Sequence, residues 1–170
     1  MGHVANVFLA LASFHPALPG ESLEYGFRGP HLLAGLDGSP KLVRLDCLLT
    51  HSGTGLGASG WSFGLAARGG RIVGITVSDE IARLAQVNEA VLTKGDGNEG
   101  AICTIVLSGD GHLSPNSTTV VATIEVATSP YRPLDLLTLE YRDGMVGANG
   151  LGVFNRVVEA SSGVAFLPEL

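Results

Sequence analysis

At 170 residues the chain is long enough to bury a substantial core without metal or disulfide staples, and it reads as one domain over 1–170. Apolar residues make up 45% and charged residues 15%, well under the roughly 25% of an average soluble domain, and its two lysines are Lys41 and Lys94. A formal net charge of −6 without any run of Lys or Arg excludes the clustered basic face that nucleic acid requires, and no apolar stretch reaches the ~18–20 residues of a membrane-spanning helix.

The opening "MGHVANVFLALASFHPALPG" holds an apolar run, Val7 to Phe14, without the basic flank of a secretory signal, so it is expected as a first strand. In "KLVRLDCLLT", Val43, Leu45, Cys47 and Leu49 alternate with Arg44 and Asp46, the period-two pattern of a half-buried strand. Gly-rich "HSGTGLGASG" follows as a loop. Next, Trp61, Phe63 and Leu65 take one face of a strand, and Ser62, Gly64 and Ala66 take the other. "GGRIVGITVS" predicts a further strand with Val73, Ile75 and Val77 in phase. Ser78 and Asp79 are N-cap candidates, and Ile81, Leu84 and Ala85 at i, i+3, i+4 spacing predict a short helix. "TKGDGNEG" closes that region as a loop. Strands resume at 101–107, at 119–127 (Val120, Ala122, Ile124 and Val126 inward), at 134–141, 154–159 and 164–167. Eight or nine strands separated by turn signals predict an all-β antiparallel sandwich.

Gly60-Trp61-Ser62-Phe63-Gly64 spells G-x-S-x-G, the nucleophile elbow of serine hydrolases. That motif needs a strand, a sharp turn carrying the serine, and a helix; here Ser62 falls within an alternating run, and "LAARGGRIVGITV" leads to another strand. His112 is the only histidine after it. Ser62 is therefore expected to be a strand residue, and no catalytic residue is assigned.

Cys47 and Cys103 fall on inward faces of different strands, as an inter-sheet disulfide or as two buried thiols, with unpaired thiols preferred. Asp96, Asn98 and Glu99 in "GDGNEG" offer oxygen donors, but the further Glu of a calcium loop is missing, so a solvated turn is expected. His3, His15, His31, His51 and His112 form no closely spaced pair, so no metal site and no cofactor is expected. Asn116-Ser117-Thr118 matches the N-glycosylation triplet. Sugar-binding faces display exposed rings; Trp61 is in phase with the core, and Tyr25, Tyr131 and Tyr141 are scattered.

The stretches "VRLDCLLTHSGTGLGASGWSFGLA", "GRIVGITV", "GAICTIVLSGDGHLSPNSTTVVATIEVA" and "LTLEYRDGMVGANGLGVFNRVV" together resemble the cohesin-like modules of large exported bacterial proteins, over roughly residues 41–160. The segment "EYGFRGPHLLAGLDGSP" departs from that pattern as an insert. The resemblance implies a jelly-roll-like sandwich of about nine strands, shared with several carbohydrate-binding modules, and a non-catalytic docking role. The function expected is extracellular or cell-surface protein binding. The partner is a dockerin-like segment or another copy of the chain; carbohydrate binding and a self-associating fibre subunit are the alternatives.

Overall fold

Period-two alternation of large apolar residues with small or polar ones organises this chain into strands, because successive side chains of a pleated strand point to opposite faces. The computed structural model describes residues 12–13, 22–34, 41–53, 57–93, 99–109, 111–129, 137–147, 150 and 152–159. These form β1 (Ala12–Ser13), β2 (Ser22–Ala34), β3 (Lys41–Ser52), β4 (Ala58–Arg68), β5 (Gly70–Val77), α1 (Asp79–Leu84), β6 (Ala85–Thr93), β7 (Gly100–Leu107), β8 (Ser117–Thr128), β9 (Thr138–Tyr141), β10 (Met145–Val146), β11 (Gly152–Val153) and β12 (Arg156–Glu159). Nine of these strands have four residues or more.

One sheet runs β1-β2-β3-β8-β5 and the other β12-β4-β7-β6, with β9 also on β4, and every pairing is antiparallel. The chain changes sheet after β3, after β4, after β5 and again after β7 and β8, so most neighbours within a sheet are not consecutive. This is the jelly-roll-like antiparallel sandwich with one short helix. Its core joins both sheets: Val43, Leu45, Cys47 and Leu49 of β3 meet Trp61, Phe63 and Leu65 of β4 and Cys103 and Ile105 of β7 in one cluster. Tyr25, Phe27, Phe63 and Tyr141 pack their rings within it, Phe27 and Tyr141 stacked at 4.6 Å.

Several sequence expectations change. The segment read as an insert forms most of β2, which begins two residues earlier, pairs along β3 and puts Leu23, Tyr25 and Phe27 into the core. Residues 85–93, between the helix and the "TKGDGNEG" loop, form strand β6. The helix ends at Leu84, which is exposed, and Ala85 already belongs to β6; Ser78 stands at the N-cap without a side-chain cap bond. In β5 the pairing slips between Ile72 and Gly74, so Ile72, Ile75 and Val77 are in phase and Val73 is the bulged residue. Opposite Cys47 and Leu48 a second slip lets Val121 enter the core ahead of Ala122, which removes Val120 from the inward set. An extra residue flips every later side chain to the other face. Of the first predicted strand, Ala12–Ser13 are seen as β1; the rest of it, and 164–167, lie outside the described residues.

Candidate functional site

The "GWSFG" stretch sits at an interruption in the sheet. β12 pairs with β4 over Ala58–Ser62 and β9 pairs with it over Leu65–Arg68, so the two share one lane with a gap opposite Phe63 and Gly64. Between β9 and β12 the chain leaves that lane as the β10–β11 hairpin and crosses the outer face of β4 and β7. Gly64 fills the gap: its carbonyl accepts from the Arg142 N–H at 2.9 Å, and its own N–H donates to Asn155 Oδ1 at 3.1 Å. Asn155 in turn donates its backbone N–H and its Nδ2 to Asp143 Oδ1, at 2.8 and 2.7 Å, which clamps the base of the hairpin.

Ser62 belongs to the same fastening. Its hydroxyl donates to the Phe154 carbonyl at 2.6 Å, and its side chain is buried in the middle of a strand. The glycine after it is required by packing: a Cβ on Gly64 would overlap the Arg142 carbonyl and press on Met145. Gly100, across the sheet, is closed off in the same way by the Leu65 carbonyl and the Met145 methyl. So the G-x-S-x-G spacing here serves a close approach of hairpin to sheet. Ser62, Gly64 and Ala66 do face away from the core, as alternation predicts, yet all three are buried, Ser62 and Gly64 against that roof.

The two outer faces differ in chemistry. On the β2-β3-β8-β5 sheet, Arg28 pairs with Asp46 at 2.7 Å, Arg44 pairs with Glu125 at 3.0 Å, and Thr50 bonds Thr118 at 3.0 Å. The outer face of β4-β7-β6 is built in rows set by register: Gly60–Val106–Val87, Ser62–Thr104–Glu89 and Gly64–Ile102–Val91. The hairpin covers the third row, where Ile102 is 1% exposed. The first row is buried at Gly60 and opens toward β6, where Val87 is 41% exposed.

Trp61 is completely buried, and its Nε1 has no hydrogen-bond partner among the described residues. His51 is buried with both ring nitrogens in the same state. His31 and His112 are exposed on other segments, while His3 and His15 lie outside the described residues. Glu99 is exposed; Asp96 and Asn98 lie outside the described residues. Among the described residues no three His, Cys, Asp or Glu side chains are grouped to hold a metal, and no helix is long and apolar enough to cross a membrane.

Cys47 and Cys103 are both buried and unbonded. Burial pushes the Cys47 thiol well above its ordinary value and that of Cys103 up to about 12, with nearby charge adding to each. Burial likewise raises the Tyr25 and Tyr141 hydroxyls, which donate to the Ser62 and Gly26 carbonyls at 3.0 and 2.9 Å. Asn116 of the glycosylation triplet is exposed at a turn with φ of 51°, and its Oδ1 accepts the Gly53 N–H. Phe154 is the only exposed aromatic ring among the described residues; Tyr131 lies outside them. The shallow depression on α1 is lined by Asp79, Ala82 and Arg83, and Arg83 gives its Nε–H to the Asp79 carbonyl.

Sequence reasoning placed Ser62, Trp61 and both cysteines on the correct faces but did not bring Ser62 together with Asp143, Phe154 and Asn155. The available signal was the small residue at every second position of "GWSFGLA", which marks a strand face that something approaches closely. Comparison with protein-family models, with curated proteins and with solved structures finds no match for this chain.

Proposed function

We propose that the chain is a non-catalytic protein-binding module of the cohesin-like kind, acting outside the cytoplasm and holding its partner against the outer face of β4, β7 and β6. The contrast between the two outer faces carries this reading. One is laced with ion pairs and threonines, as a solvated face is. The other presents a strip of Val106, Val87 and Thr104, with the charges of those rows at their two ends, Glu89 on β6 and Arg156 opposite Ser62 on β12. Interface centres are depleted of charge in the same way. The sandwich suits the cohesin resemblance and equally suits carbohydrate-binding modules, so the choice rests on the site and not on the fold. A sugar platform needs several exposed rings, and among the described residues only the Phe154 ring is exposed. A hydrolase needs a serine whose proton a base can take; the Ser62 proton is committed to a carbonyl beneath the hairpin.

Immobilised chain tests the proposal by capture from secreted and surface fractions, with Thr104→Arg on the strip and Thr76→Arg on the opposite outer face as a matched pair. A protein that binds the unmodified chain and Thr76→Arg but not Thr104→Arg is the expected result. Binding lost with Thr76→Arg instead, saturable binding of a soluble polysaccharide, or ester hydrolysis abolished by Ser62→Ala would overturn it.

A further inference from the structure

Among the described residues β6 hydrogen-bonds to β7 alone, and β5 of the other sheet packs beside it without forming a ladder, so one side of it is an unpaired sheet edge. Which of its backbone groups face outward follows from the far side of the sheet. Gly64 exchanges its N–H and C=O with Asn155 and Arg142, on the side of β4 away from β7. Hydrogen-bonding direction alternates along an antiparallel strand. Trp61, Phe63 and Leu65 therefore turn theirs toward β7, where Ile105, Cys103 and Ala101 answer them. That leaves Ile102 and Thr104 to bond β6 through Val91 and Glu89. Asn88, Ala90 and Leu92 consequently send their N–H and C=O groups out from the edge.

Natural monomers blunt such an edge with Lys, Pro or short strands. β6 runs nine residues with neither Lys nor Pro, and Glu89 is its one charge. Among the described residues, three of the five exposed large apolar side chains, Leu84, Val87 and Leu92, gather along it or at its start.

We propose that β6 is a self-association edge, pairing antiparallel with β6 of a second copy about a two-fold axis through Ala90. A second copy is the occupant because the strand complements itself in one register. With Ala90 opposite Ala90, Asn88 meets Leu92 of the other copy, and every outward-directed residue finds an outward-directed partner, each such pair exchanging two backbone hydrogen bonds. Glu89 then stands opposite Val91. Centring the axis one residue earlier sets Glu89 directly against itself, a like-charge pair that disfavours the register. Centring it on Asn88 runs the pairing into the slip between Ala85 and Val87, and centring it on Val91 or Leu92 sets Asn88 opposite a position past the strand end at Thr93, which loses an outward-directed pair. The dimer extends the sheet sideways and leaves the outer strip open, so it stands or falls separately from partner docking there: Thr104→Arg leaves it intact.

The test is the mass of the full chain by light scattering over a concentration series. Asn88→Pro removes an outward N–H that β7 does not use, a substitution edge strands tolerate, and Asn88→Ala keeps it. The unmodified chain and Asn88→Ala should move from monomer to dimer mass as concentration rises, while Asn88→Pro stays monomeric with an unchanged far-ultraviolet spectrum. Hydrogen exchange on the unmodified chain gives an independent reading and decides alone if Asn88→Pro does not fold. The amides of Asn88, Ala90 and Leu92 should gain protection with concentration, whereas those of Glu89 and Val91 are protected throughout. A chain that stays monomeric, a dimer that survives Asn88→Pro, or a dimer without that alternating protection overturns the proposal.

Discussion

The Ser62 hydroxyl donates to the Phe154 carbonyl across 92 residues of sequence, tying the middle of a central strand to the end of a surface hairpin. A serine so engaged is a fastener. Ser62→Ala should leave the sandwich folded and cost about 1 kcal/mol, the net worth of one such bond. Trp61→Ala, one position away but on the core face, should cost about 3–5 kcal/mol by emptying a large buried site. Urea unfolding of the two variants checks the contrast, and equal losses would contradict the assignment of their faces.

Asn155 is the second fastener. Asn155→Ala leaves the Gly64 N–H without its acceptor at a buried position, and a loss of about 1–3 kcal/mol is expected. Gly64→Ala should cost a similar amount by a different route, since overpacking against the Arg142 carbonyl has a typical price of about 1–3 kcal/mol. In both variants, hydrogen exchange should show the Gly144 amide, which donates to the Val153 carbonyl, losing protection before the β3 and β8 amides do. Uniform loss of protection across the sandwich would mean the hairpin is no separate unit.

Parts of this arrangement were legible in the sequence for a definite reason. β3, β4 and β7 are buried on the inner face and carry uninterrupted alternation, so the period shows through. β2 hides its own inward set, Leu23, Tyr25 and Phe27, because Gly26 and the Gly29-Pro30 step resemble loop punctuation. β6 is an edge strand, and Gln86, Asn88 and Glu89 give it a polar look that a period-two search passes over. The slips in β5 and β8 each shift the phase by one residue, which composition cannot announce. The hairpin roof is a tertiary event: nothing local in "DGMVGANGLGVFN" says that Asp143 and Asn155 will meet beside Gly64 of β4.

Alkaline stability follows from four acids of the core, three buried and Tyr141 partly so. Tyr25, Tyr141, Cys47 and Cys103 all have folded values raised above their ordinary ones, chiefly by burial. The folded chain therefore keeps protons that the unfolded chain gives up, and stability is complete below the unfolded values and falls as pH rises beyond them. For Cys103 the window opens at 9.0 and closes at about 12. Within its window each group lowers the unfolding free energy by about 1.4 kcal/mol per pH unit. Melting temperatures from pH 8 to 11 should fall progressively, and a Cys103→Ala variant should fall less steeply over that range. A flat profile would contradict the burial of these groups.

Thiol access gives a companion measurement. Both cysteines are buried and unbonded, so a thiol reagent should react slowly with the folded chain and titrate both Cys47 and Cys103 once it is unfolded without reductant. Finding thiols only after reduction would mean a disulfide joins the sheets.

Whether the outer strip of β4, β7 and β6 holds a protein partner is tested most directly by titration calorimetry of the captured partner against the unmodified chain, Thr104→Arg and Thr76→Arg. A charged side chain placed at the centre of a docking surface should weaken binding by more than about tenfold, whereas the same residue on the opposite face should leave the dissociation constant unchanged. Equal affinity for all three chains, or loss confined to Thr76→Arg, would contradict docking on this face.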